Sequence, residues 1–176
     1  MTTVTPEIYR PDLWQNYFLM LGGGAAALTG LVFVALSLNL EVIAHDPTHR
    51  YRAIGTLAGF SAVLVTCSLA LMGGQGHIAV GLEWLASAGT AMIIYVVGYV
   101  RAIRAGLSAV GLGSGRLVVG TACYVAEVVG AILLTLGYVA GLYLAAVAMT
   151  ALMAFMITGA WLLVEGAHQA MHEPRH

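Results

Sequence analysis

The chain contains no lysine, and its seven arginines and eight acidic residues make up only 9% of its 176 positions. Roughly 25% is usual in a soluble domain. So few charges cannot cover a water-facing surface, which excludes a soluble globular protein. The net charge is −1, and the arginines are spread along the chain without a basic patch, which excludes a nucleic-acid surface. Only two cysteines occur, Cys67 and Cys123, both within apolar runs where a thiol behaves as a small hydrophobe, so no disulfide framework is expected. All four prolines, Pro6, Pro11, Pro47 and Pro174, fall outside the apolar runs, so no proline kink is expected inside them.

Missing residue types also remove most chemistries. No apolar run contains aspartate, which excludes proteolysis by paired intramembrane aspartates. No histidine lies deep in a run, so a serine nucleophile has no base there and a haem has no pair of axial ligands. The Gly111–Gly115 stretch GLGSG lacks the preceding strand and the lysine of a phosphate loop and reads as a connector. Neither an enzyme nor a cofactor is expected.

What the chain has is apolar length. Hydrophobic residues are 60% of it and its mean hydropathy is +0.91, enough for five spans of ~20–25 residues. The expected fold is an all-α membrane protein, a single domain of five transmembrane helices at about 17–44, 53–72, 78–100, 117–136 and 142–164, with short loops. Asp12 and Gln15 suit the N-cap and N3 positions of the first helix, and Asp46 with Pro47 the start of the second. Gly73–His77 breaks the second run, Arg101–Arg116 forms the longest loop, and Gly137 and Gly141 bracket the shortest. The first segment follows no arginine cluster and is too long for a signal-peptide core, so it is expected to remain in the mature protein.

Five spans put the N-terminus with the second and fourth loops, and the C-terminus with the first and third. The first group holds only Arg10, the second Arg50, Arg52, Arg101, Arg104, Arg116 and Arg175. Positive charge is retained on the cytoplasmic side, so the N-terminus is expected outside and the C-terminus in the cytoplasm. Trp14, Tyr17, Trp84, Tyr138 and Tyr143 then fall at the outer interface, and Tyr51, Tyr99 and Trp161 near the inner one.

Helices associate in lipid by close packing, and small residues four apart mark candidate contacts. Gly22, Ala26 and Gly30 form such a ridge on the first span, and Ala122, Ala126 and Gly130 on the fourth. Either ridge suits packing within the chain or assembly of a homo-oligomer.

The candidate functional group is Glu127, near the middle of span four. At 100° per residue it shares a side with Gly120, Cys123, Tyr124, Ala131, Leu134 and Tyr138, while Val118, Val125, Val129, Ile132 and Leu136 form the opposite, lipid-facing side. An intramembrane carboxyl facing the bundle points to ion or proton handling. The alternative is a neutral carboxyl, hydrogen bonded to Tyr124 or to another helix, that locks helices together. Glu83, Ser87 and Thr90 share one side of span three, with Gln75 and His77 just before it, and could line an outer vestibule. Glu83 is also close enough to the interface to reach water by snorkelling. Met149, Met153 and Met156 stripe one face of span five and read as packing. Glu165, His168 and His172 would share one side of a helical extension of that span, part of a metal shell but an incomplete one.

At Gly24–Ile43, GAAALTGLVFVALSLNLEVI, and Arg52–Leu85, RAIGTLAGFSAVLVTCSLALMGGQGHIAVGLEWL, the chain resembles a family of small bacterial multispanning membrane proteins of uncharacterised function, often labelled modulator of FtsH protease. The resemblance covers the first half and is carried mainly by LTGLVFVALSLNL. It implies a multi-pass protein of the bacterial plasma membrane with a regulatory role, and no catalytic motif. It also implies a proline before Gly74–Gln75, where this chain has Gly73.

Two classes of function follow. One is a homo-oligomeric channel or transport pore for ions or protons, resting on Glu127, the Glu83 side of span three and the small-residue ridges. The other is a non-transporting modulator or accessory subunit of a protease or another membrane complex. The expected partners are the lipid bilayer, further copies of the chain and, on the second reading, another membrane protein.

Overall fold

The computed structural model describes residues 9–38, 47–104 and 114–172, without the side chains of 11, 47–49, 52, 114 and 162–172. The described residues form five helices: α1 (Pro11–Leu38), α2 (Pro47–Ala70), α3 (His77–Arg104), α4 (Ser114–Thr135) and α5 (Val139–His172). No strand occurs among them. Each helix contains a segment long and apolar enough to cross a membrane: Asp12–Leu38, Ala53–Ala70, His77–Arg104, Gly115–Thr135 and Val139–Trp161.

The helix starts follow from proline and acid chemistry. Pro47 opens α2 as expected, because its missing N–H falls where the helix has no acceptor for one. The same rule applies at Pro11, ahead of the cap expected at Asp12. Pro11 is the first residue of α1 and Asp12 lies in the first turn, where its carboxylate complements the helix dipole and accepts a 2.9 Å bond from Arg10. The far end of span one, 39–44, lies outside the described residues.

At the other end of the helices the α3 boundary moves outward. Helix α3 runs four residues past Val100 to Arg104, with Arg101 and Arg104 in its last turn opposite the negative end of the dipole. Arg116, expected in a loop, belongs to the first turn of α4. Helix α5 continues to His172, the extension anticipated for Glu165, His168 and His172.

The α4–α5 connection is a Schellman turn. Tyr138 N–H donates to Leu133 O at 2.9 Å and Gly137 N–H to Leu134 O at 2.9 Å. Gly137 has φ +89°, a left-handed conformation that costs glycine nothing. Gly141 does not bracket this turn, as expected from sequence, but lies inside α5. Its role is contact: a Cβ on Gly141 would fall 2.5 Å from Gly130 O, and one on Gly130 2.7 Å from Ala145 N. The two backbones touch, the close approach through which helices gain dispersion energy in lipid.

Helices α2, α3, α4 and α5 each pack on the next, and α5 returns to α2, closing a four-helix ring. Helix α1 lies outside the ring against α2, with a lighter contact on α5. Trp14 and Tyr143, near the starts of α1 and α5, meet edge to face at 4.9 Å, so these helices begin at the same end and run the same way. Tyr9 joins that end: buried just before α1, it donates its hydroxyl to Ala70 O in the last turn of α2.

The outer surface is apolar. Leu31, Phe33, Val118, Val147 and Trp161 are all exposed by more than 60%. One aromatic residue expected at the outer interface turns inward. Trp84 is fully buried, packed edge to face on Phe18 at 5.7 Å, and so faces the interior of the bundle. Its position one turn from Gly81, itself pressed against Thr135 of α4, turns that side of α3 inward.

Candidate functional site

Helix α4 places Glu127 two residues beyond the midpoint of Gly115–Thr135, about 3 Å along the axis. Its faces separate as the helical period implies. Gly120, Tyr124, Glu127, Ala131 and Leu134 are buried, and Val118, Val125, Val129, Ile132 and Leu136 are exposed. Tyr138, assigned to the buried side, is 60% exposed because the Schellman turn has already left the helix axis there.

Glu127 is fully buried, and neither carboxyl oxygen has a hydrogen-bond partner. The helix that carries it, α4, packs on α3 and α5. The Tyr124 hydroxyl is also buried without a partner, as is Trp84 Nε1. Glu127 therefore does not bond Tyr124, and a carboxyl-mediated helix lock finds no acceptor here. Such a group fits tightly packed protein only as a neutral acid, and carrying its charge requires water or a cation to reach it.

Further polar groups are bonded together on α2 and the first half of α3 and just before it. Gln75 Nε2 donates to both oxygens of Glu83, at 2.9 and 3.0 Å. One turn further, Ser87 accepts from Thr66 at 3.1 Å and donates to Ala62 O at 3.4 Å. Thr66 is buried. Thr90 stands apart, exposed and bonded to Ala86 of its own helix at 2.7 Å.

Other polar groups lie toward the start of α4. Tyr124 stacks at a tilt on Tyr95, ring centroids 5.5 Å apart, and Tyr95 donates to Arg116 O at 3.0 Å. The Tyr124 hydroxyl abuts Gly59 beside Met156, where a Cβ on Gly59 would lie 3.0 Å from the hydroxyl and 2.7 Å from Met156 Cε. Met149, Met153 and Met156 are all buried and pack between helices.

Of the small residues, Gly22 is buried against Cys67, whose Cβ lies 2.9 Å from where a Cβ on Gly22 would fall, and Gly130 meets α5 as described. Ala26, Gly30 and Ala122 face outward, and Ala126 is half-buried. On α1 the inward ridge runs instead through Gly22, Ala25 and Thr29, because buried positions follow steps of three and four together. Sequence reasoning passed over Thr66, Tyr9 and Arg116. The first has no neighbouring charge to draw attention, and the others were read as terminus and loop.

Glu165, His168 and His172 lie on the α5 backbone, with side chains outside the described residues. Among the described residues no three of His, Cys, Asp and Glu gather to hold a metal ion. Compared with known proteins, the chain matches no family model, no curated protein and no solved structure.

Proposed function

We propose that the chain is a multi-pass membrane protein that moves protons or small cations, with Glu127 as the group that binds them at mid-membrane. The observation that carries this reading is the full burial of Glu127 with both oxygens unpaired. A carboxyl at such depth is disfavoured by ~2.5 kcal/mol or more on insertion scales. Here no hydrogen bond offsets that cost, so a packing role is poorly served by it. A group that alternately binds and releases a cation needs unfilled oxygens.

A route inside one protomer is supported by the burial of Glu127 among the chain's own helices. On this reading Glu83, Ser87 and Thr66 would serve one side of the route and Tyr124 and Tyr95 the other. The reading as a homo-oligomer draws on Ala26 and Gly30, small residues left on the outside of α1 where a second copy could approach. The arginine distribution supports an outside N-terminus and a cytoplasmic C-terminus. A bacterial plasma membrane rests on the resemblance of the first half alone.

The test is flux in liposomes reconstituted with purified protein, over pH 5 to 8 and at both membrane polarities. Proton or cation flux should exceed that of empty liposomes, fall strongly for Glu127→Gln and more weakly for Glu83→Gln. Flux equal to empty liposomes would remove the transport reading. Flux unchanged in Glu127→Gln would move the route away from α4.

A further inference from the structure

A cavity of about 70 Å³, several times what one water needs, lies where α2 and α4 begin and α3 ends, with α5 behind it. Its polar groups are few and specific. The Arg116 guanidinium stands 4.7 Å above the Phe155 ring and donates to Thr158 Oγ1 at 3.3 Å and Phe155 O at 3.4 Å. Arg116 is the only charged residue of the lining, and a guanidinium suits the oxygens of a phosphate. Tyr99 lines the cavity with its ring, its hydroxyl being buried away from the open space.

Thr56, Tyr51 and Tyr95 also line the cavity, the remainder is apolar, and the rim decides the kind of anion. Ile54 of α2 and Ile94 of α3 line the cavity and are also exposed, at 45% and 39%, on the apolar exterior. The cavity thus meets the outer surface between α2 and α3 at side chains suited to acyl chains, and a hydrated ion gains nothing by entering there. Exposed Arg50, Arg101 and Arg104 stand at the same end of the helices, adding positive charge at headgroup level.

We propose that this cavity is a binding site for an anionic phospholipid, with its phosphate held by Arg116 and the first part of an acyl chain passing out between Ile54 and Ile94. The site takes one lipid per chain from the surrounding leaflet. It is independent of Glu127 and of any transport activity.

Gly98 provides the means to close it. It lines the cavity, and a Cβ there meets only Tyr51 Cδ1, at an ordinary 3.9 Å, so a leucine side chain can occupy the cavity without displacing backbone. The full chain, purified in detergent and stripped of lipid, is unfolded thermally with added phosphatidylglycerol, phosphatidylcholine or inorganic phosphate. Phosphatidylglycerol should raise the midpoint by ~5 °C or more at saturation. The rise should be largely lost in Gly98→Leu and in Arg116→Gln, and native mass spectrometry should show one retained phosphatidylglycerol on the parent chain only. An equal rise with phosphatidylcholine overturns the proposal, as does a rise with inorganic phosphate alone. So does a phosphatidylglycerol response undiminished in both variants, which would mean that the lipid acts at the exposed arginines instead.

Discussion

Tyr124 and Glu127 stand three residues apart on the same buried side of α4, and neither the tyrosine hydroxyl nor either carboxyl oxygen has a hydrogen-bond partner. Residues at this spacing are neighbours on a helix, yet the phenol turns toward Gly59 on α2. Two unsatisfied polar side chains at the centre of a bundle reduce its stability.

Replacing Glu127 should therefore separate stability from function. Glu127→Leu removes an unpaired buried carboxyl and should stabilise the protein by ~1–3 kcal/mol while abolishing flux. Thermal unfolding in detergent and liposome flux on the same preparations check both halves. A clear loss of stability in the leucine variant would mean that the carboxyl holds helices together after all.

Close contact at Gly141 and Gly130 predicts steep intolerance. Gly141→Val should destabilise by ~1–3 kcal/mol or more, since its Cβ would enter the backbone of α4. Gly23→Ala is the control, because nothing lies within 4 Å of its Cβ position. Unfolding midpoints should fall for the first and hold or rise for the second.

Tyr9 links the start of the chain to the end of α2. Tyr9→Phe should cost ~1 kcal/mol through loss of the bond to Ala70 O. Burial pushes the Tyr9 phenol from 10.0 up to about 12. Because the folded value is the higher one, its contribution is complete below pH 10 and is lost as pH rises from 10 to 12. Alkaline unfolding curves of the parent and Tyr9→Phe should differ below pH 10 and converge across that window.

The arginine distribution predicts orientation. Gly73→Cys and Gly115→Cys lie at opposite ends of the bundle, both in the open. In intact cells a membrane-impermeant thiol reagent should label the first and not the second. The reverse would invert the topology.

The number of helices, their apolar exterior and the two faces of α4 were legible in the sequence, because span length and a 100° period are local properties. Pro47 likewise set the start of α2 through its own geometry, and Pro11 carried the same information without being used. Other features depend on which helices meet. Spacing alone made Gly22, Ala26 and Gly30 equivalent, and packing against α2 took Gly22 inward and left the other two outside. Trp84 had the composition of an interfacial residue, but the orientation of α3 made it part of the interior. The sequence located Glu127 at mid-span, and only the packing of the helices around α4 determined that its oxygens would have no partner. Arg116, Tyr99 and Gly98 are separated along the chain and acquire a common cavity through the closing of the four-helix ring, which no local pattern encodes.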